Sequence, residues 1–198
     1  MTLEKDKLAA IAGLASVIQS KTHDQYIAGM WNCRFFIEYD LCWRVSRRAD
    51  DQLPFRPLKY RAPTWSWASV EGIISYRYKR EHDIAGDTQL ALVENVKVET
   101  FNDTATGPVK SASMQIRGPL RVSYRYFCSD DPAQVIPDKV FFLAMFGLFS
   151  DMIVWGLALR RLEFGPDKGC YERIGTFDFS DEDFHDYYSA PKTSITMI

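Results

Sequence analysis

The chain has 198 residues, 46% of them hydrophobic and 25% charged. That length suits one domain with at most a small helical annex, and the composition excludes an intrinsically disordered chain. A formal net charge of −2 lacks the basic excess that phosphate backbones demand, so no nucleic-acid partner is expected.

The N-terminal stretch Met1-Thr2-Leu3-Glu4-Lys5-Asp6 is charged and has no apolar core of the kind a secretory signal carries. Four cysteines, Cys33, Cys42, Cys128 and Cys170, form no CxxC pair, and without an export signal free buried thiols are expected rather than disulfides or a zinc site. The longest apolar run, Val140 to Phe149, is about half of what a membrane-spanning helix needs. The expectation is a cytoplasmic protein with no membrane partner.

Leu8, Ile11, Ala12, Ala15 and Ile18 recur at three- and four-residue spacing, which predicts a helix with one apolar stripe, widened by Leu14 and Val17. Thr22 followed by Gln25 has the form of a capping box, and a second, shorter helix is expected to carry Tyr26, Ile27, Met30 and Trp31. Phe35 to Val45 suits either a helix or a strand. The polar, proline-punctuated stretch from Asp50 to Pro63 marks an internal boundary.

Beyond that boundary the period changes to two. Trp65 and Trp67 alternate with Ser66 and Ala68, and Ile74, Tyr76 and Tyr78 alternate with polar residues. Leu90, Leu92, Val96 and Val98 share a parity broken only by Glu94. The longest alternation sets Ala112, Met114, Ile116, Leu120, Val122, Tyr124 and Tyr126 against polar neighbours. Such a pattern buries one strand face and wets the other. Gly118-Pro119 within it predicts a bulge or bend, because proline cannot donate to a ladder.

Val140 to Phe149 and Met152 to Leu159 read as strands covered on both faces. Tyr171 to Phe179 reads as a last strand, followed by a polar tail expected to fray. The expected class is α+β: a helical segment over 1–49, an antiparallel β domain over 50–180 and a tail over 181–198. The β domain is expected to be a barrel or sandwich of six to seven strands.

Four segments resemble, in order, the C-terminal region of fungal heterokaryon-incompatibility (HET-domain) proteins. Asp6-Lys7-Leu8-Ala9-Ala10-Ile11-Ala12-Gly13-Leu14-Ala15 is similar to one family helix, and Asp24-Gln25-Tyr26-Ile27-Ala28-Gly29-Met30-Trp31 to a second. Arg61-Ala62-Pro63-Thr64-Trp65-Ser66-Trp67-Ala68-Ser69-Val70-Glu71-Gly72 resembles the family's Trp-Ser-Trp signature. Gly156-Leu157-Ala158-Leu159 with Tyr171-Glu172-Arg173-Ile174-Gly175 resembles its closing strands. The likeness implies an accessory domain. The family's cell-death effector domain lies before the first of these segments and is expected to be missing here, so no residue inherits its activity.

Candidate chemistry is sparse. Trp65 and Trp67 could line a ligand pocket through their π faces or fill a core with each N–H bonded to backbone; Tyr76 and Tyr78 would extend such a pocket. Arg61 could hold an anionic group or anchor the turn on carbonyls. Glu38 and Asp40 lie among apolar residues, where a carboxyl can be kept neutral for acid catalysis, and Glu94 is either partnered by Arg117 or Arg121, at a bulge, or a candidate acid. His23, His82 and His185 read as surface residues, with Asp181 and His185 at best half of a metal site.

No dinucleotide, P-loop, nucleophile-elbow or zinc-protease motif is present, so no cofactor or metal is expected. Three functions remain open. One is an accessory domain that binds a protein partner or a small hydrophobic molecule, with a homodimer possible. Another is a cofactor-independent cyclase or isomerase of fungal secondary metabolism, using an aromatic-lined pocket. The third is a fragment without a role of its own.

Overall fold

A computed structural model describes residues 7–33, 37–46, 52–76, 86–102, 104–180 and 182–198. In it the chain is mainly β, with few helices and one large mixed sheet, in keeping with an α+β class. Among the described residues no helix is long and apolar enough to cross a membrane.

Helix α1 (Ala9–Thr22) forms where the spacing predicts. Leu8 and Ala15 are buried and Ile11, Ala12 and Ile18 half-buried, while Leu14 and Val17 point to solvent instead of widening the stripe. The helix ends on His23, whose positive φ of 61° is a left-handed cap and whose N–H donates to the Gln19 carbonyl. The expected capping box is therefore absent.

The expected second helix is a β-hairpin. Strands β1 (Gln25–Ile27) and β2 (Met30–Asn32) pair Ile27 with Met30 across a two-residue turn. Ala28 and Gly29 both take positive φ, 48° and 96°, the geometry of the tight turn whose twist matches paired strands. The ambiguous stretch that follows holds a single helical turn, α2 (Ile37–Asp40), and a strand, β3 (Arg44–Ser46), which pairs with β4 (Ile73–Ser75).

The large sheet contains β5 (Asp87–Gln89), β6 (Leu92–Thr100), β7 (Val109–Ser123), β8 (Cys128–Ser129), β9 (Val140–Leu148), β10 (Ile153–Arg161), β11 (Tyr171–Ser180) and β12 (Lys192–Met197). Its order is β5-β9-β10-β11-β12-β7-β6, with β8 beside β11. All pairings are antiparallel except β11 with β12.

Strand β7 changes partner along its length. It pairs with β6 up to Arg117, with β12 from Met114 to Pro119, and with β9 from Leu120 to Ser123. The switch falls at Gly118-Pro119, where the expected bend becomes a handover between neighbours. A side chain at Gly118 would strike the Ala91 Cβ at 2.6 Å. The pairings thus return from β7 to β9, but β11 and β12 share one register pair, Tyr171 with Met197. The sheet is not a closed barrel.

Strands β9 and β10 are buried almost throughout and feed two cores. On one face Leu143, Met145, Trp155, Leu157 and Leu159 pack with Trp65, Ile27 and Leu41; on the other Phe142, Ala144 and Ala158 pack with Phe177, Phe184 and Tyr187. The second core is roofed by helix α3 (Glu182–Tyr188), followed directly by β12. The tail expected to fray is thus a helix and a full strand, and Ile195 and Met197 are buried in the first core.

Candidate functional site: a clasped tryptophan turn and an open tyrosine face

Trp65 and Trp67 do not share a strand. Pro63 opens a turn that runs into a single 3-10 turn, Trp67–Ser69, capped by the Ser66 hydroxyl, which accepts the Ala68 N–H at 3.1 Å. That hydroxyl also donates to the Ala28 carbonyl at 2.5 Å, and the Trp67 Nε1–H donates to the Gly29 carbonyl at 2.6 Å. The signature turn therefore clasps the positive-φ turn of the β1–β2 hairpin.

Trp65 is 0% exposed. Its carbonyl accepts the Trp43 Nε1–H at 2.9 Å, while among the described residues its own Nε1 has no hydrogen-bond partner. The C-terminal end locks the turn from the other side: the Thr64 N–H donates to the Ile198 carbonyl at 3.1 Å, and Ile198 N–H to Tyr171 at 3.0 Å.

Arg61 anchors this turn on carbonyls. Its Nε–H donates to Ala68 at 2.6 Å and its other donors reach Val70 at 3.2 Å and the Glu71 carboxylate at 2.5 Å. Lys7 donates to the Val70 carbonyl at 2.6 Å and lies 5.4 Å over the Trp67 ring. Burial pushes the Lys7 ammonium below its usual range, with Glu71 opposing the shift.

Beneath the turn lies a charge cluster that sequence reasoning did not single out. Arg173 is 0% exposed and grips both oxygens of buried Asp130, at 2.9 and 3.0 Å. Its remaining donors reach the Leu41 and Trp43 carbonyls, each at 2.5 Å, and the guanidinium lies 3.3 Å from the Trp43 ring centroid.

Arg56 adds a second cation, bonded to Asp130 at 2.8 Å, to the Arg173 carbonyl at 2.9 Å and to the Ser69 hydroxyl at 2.5 Å. Burial pushes the Arg56 pKa down, with Asp130 as the main opposing influence. The cluster fastens four remote segments and commits its donors to structural partners. The available signal was Arg173 itself, a cation on the buried parity of an apolar strand.

The carboxylates are dispersed. Glu38 is buried in α2 and accepts the Val93 N–H at 3.0 Å, tying α2 to the start of β6. Asp40, two residues on, is half-buried near Tyr76, so the two do not form a catalytic pair. Tyr76 is 38% exposed. Burial of its phenol raises the pKa to about 12, Asp40 adding to the rise and Arg173 opposing it.

Glu94 is exposed at a bulge, where the β6–β7 register shifts between Val93 and Asn95, and it accepts the Ser194 hydroxyl at 3.1 Å. Neither expected arginine reaches it: Arg121 pairs with Asp186 at 3.1 Å. The bulge also reverses parity, so Val93, Val96 and Val98 pack against the core and Leu92 faces out. Tyr78 and His82 lie outside the described residues, as does Asp181.

Among the described residues no group of three or more His, Cys, Asp or Glu side chains could hold a metal ion. The four cysteines are free thiols, Cys42 buried and Cys128 exposed.

Of the concavities described, none is lined by Trp65 or Trp67. A groove of about 620 Å3 runs between Gln25–Ile27 and Val98–Thr100, with Lys110 at its rim. A smaller cleft of about 200 Å3 opens where the chain after β7 diverges from β9, lined by Tyr124, Tyr126, Phe127, Ile136, Pro137 and Val140 among others.

Around that cleft the alternation that buries Met114 and Ile116 continues in the same parity into solvent. Val122 is 48% exposed, Tyr124 86% and Tyr126 99%. Val135 and Ile136 across the cleft are exposed too. No family model, curated protein or solved structure matches the chain.

Proposed function

We propose that this chain is a binding module, akin to the accessory region of HET-type proteins, which takes an apolar group of its partner into the cleft beside Tyr124 and Tyr126. The observation that carries the binding role is the apolar parity of β7 running on, past the end of the core, into residues that stand in water. Exposed aromatic groups next to a concavity are the usual mark of a recognition surface. Tyrosine suits the task, because it offers a large amphipathic face with only two rotatable bonds to freeze.

The segments that carry the HET-type resemblance pack against one another. A Cβ on Gly29 would stand 3.0 Å from the Trp67 Nε1 and 3.1 Å from Leu8. Three of the segments that carry the resemblance thus meet at one glycine. A cleft of about 200 Å3 has room for one aromatic or branched aliphatic group, smaller than the span of ordinary metabolite pockets.

The test uses 1-anilinonaphthalene-8-sulfonate as an apolar probe. Wild-type protein is expected to enhance its fluorescence saturably, and Tyr126→Ser or Ile136→Ser to weaken binding by roughly tenfold, since losing about 1.4 kcal/mol of contact does so. Val17→Ser, on the exposed face of α1, is the control and leaves binding unchanged. Equal binding by all four proteins would refute the assignment.

A further inference from the structure

Strand β6 ends the sheet: β7 lies along one side of it, and among the described residues no strand pairs with the other. An unpaired strand edge is a row of free backbone donors and acceptors, and it templates the addition of another strand. At the start of β6 the edge is already occupied, because the Val93 N–H is bonded to the Glu38 carboxylate and the bulge follows at once. The regular stretch is Asn95 to Glu99, with the next register shift between Glu99 and Thr100.

The side chains of this stretch are sorted. Val96 and Val98 pack against the core, while Lys97 and Glu99 stand exposed on the outer face. We infer that this edge pairs with the same edge of a second copy, antiparallel about a two-fold axis at Val98. Such an axis keeps each residue on its own face of the joint sheet and sets Lys97 opposite Glu99 of the other copy, twice over by symmetry.

The neighbouring registers are worse. An axis at Lys97 opposes two lysines, and an axis at Val96 sets Glu99 against Val93 and Lys97 against Asn95. Opposed like charges repel directly across a ladder, and opposite charges attract. The charges on β6 therefore select one register of self-pairing, with the two sheets continuing into each other. Among the described residues of one protomer, Glu99 meets the Ser111 hydroxyl at 3.0 Å and Lys110 at 3.9 Å, both at well-exposed positions, so neither holds it away from the edge.

Sedimentation velocity over a concentration series decides the point. The full chain is expected to show a reversible monomer–dimer equilibrium. Lys97→Glu and Glu99→Lys each place like charges opposite one another and are expected to weaken it by roughly tenfold or more, two pairs at several tenths of a kcal/mol each being reversed. The double variant Lys97→Glu/Glu99→Lys restores the complement and should regain dimerisation. Exposed surface charges leave folding intact, which circular dichroism verifies. A wild type that stays monomeric at its highest attainable concentration would overturn the proposal. So would single variants that dimerise normally, or a double variant that fails to recover.

Discussion

Arg173 of β11 and Asp130, just beyond β8, meet as a buried two-pronged ion pair. Taking two charges out of water is costly, and the pair is compensated by the Leu41 and Trp43 carbonyls and the Trp43 ring around Arg173. What it provides is register: Asp130 holds Arg173 of β11 and Arg56, and Arg173 in turn holds the Leu41 and Trp43 carbonyls after α2.

Removing that carboxylate leaves two buried guanidinium groups facing each other. Asp130→Ala is expected to lower the free energy of unfolding by about 3–5 kcal/mol. Arg173→Lys should also destabilise, because an ammonium cannot span both Asp130 oxygens and two carbonyls. Urea denaturation followed by tryptophan fluorescence measures both. A loss below about 1 kcal/mol for Asp130→Ala, the size of an exposed pair, would show that water reaches the cluster.

Gly29 and Gly165 separate backbone strain from packing. Both have positive φ, 96° and 84°, but an added Cβ meets Trp67 and Leu8 at Gly29 and nothing within 4 Å at Gly165. Gly165→Ala should cost only conformational strain, about 1 kcal/mol, and Gly29→Ala more, up to about 3 kcal/mol. Equal losses in thermal unfolding would mean that the clasp between hairpin and signature turn is loose.

Tyr26 lies in β1 with its hydroxyl sealed from solvent. Among the described residues it makes no well-formed hydrogen bond, its contact with the Gly29 backbone included. Tyr26→Phe removes an unsatisfied group and is expected to raise stability by about 1 kcal/mol.

The same burial raises the phenol pKa to about 12, above the unfolded value near 10. The folded state therefore holds a proton that the unfolded state has lost. The pH-dependent contribution is complete below about pH 10 and disappears as pH climbs through about 12. Unfolding experiments across that window should show a falling stability whose slope is shallower in Tyr26→Phe. An unchanged slope would place the hydroxyl in water.

The parts of the fold legible in the sequence were those decided locally. Val140–Phe149 and Met152–Leu159 lack polar residues, and they became β9 and β10; the alternation around Met114 and Ile116 became the inner face of β7. The β1–β2 hairpin was not legible, because Tyr26, Ile27, Met30 and Trp31 fit a helical face equally well. The turn at Ala28-Gly29 is chosen by Ser66 and Trp67, each 38 residues further along.

The tail misled for a similar reason. Ile195 and Met197 alternate over too few residues to announce a strand, and the ladder they join comes from β7. Among the candidate residues, Trp65, Trp67 and Arg61 did mark a place that matters, but its geometry serves cohesion. The parity of β7 predicts Tyr124 and Tyr126 on the buried face, but periodicity records which residues share a face and not where the covering layer ends.

The interior around the tryptophan turn is filled, and on the proposed reading apolar groups bind outside it, at the tyrosine cleft. Titration of 15N-labelled protein with indole, followed by amide chemical shifts, tests it directly. Saturable shifts are expected at residues 123–127 and 136–140, with amides near Trp65 and Trp67 unmoved. Saturable shifts centred on residues 64–69 would contradict it, placing a chamber where the structure has a packed core.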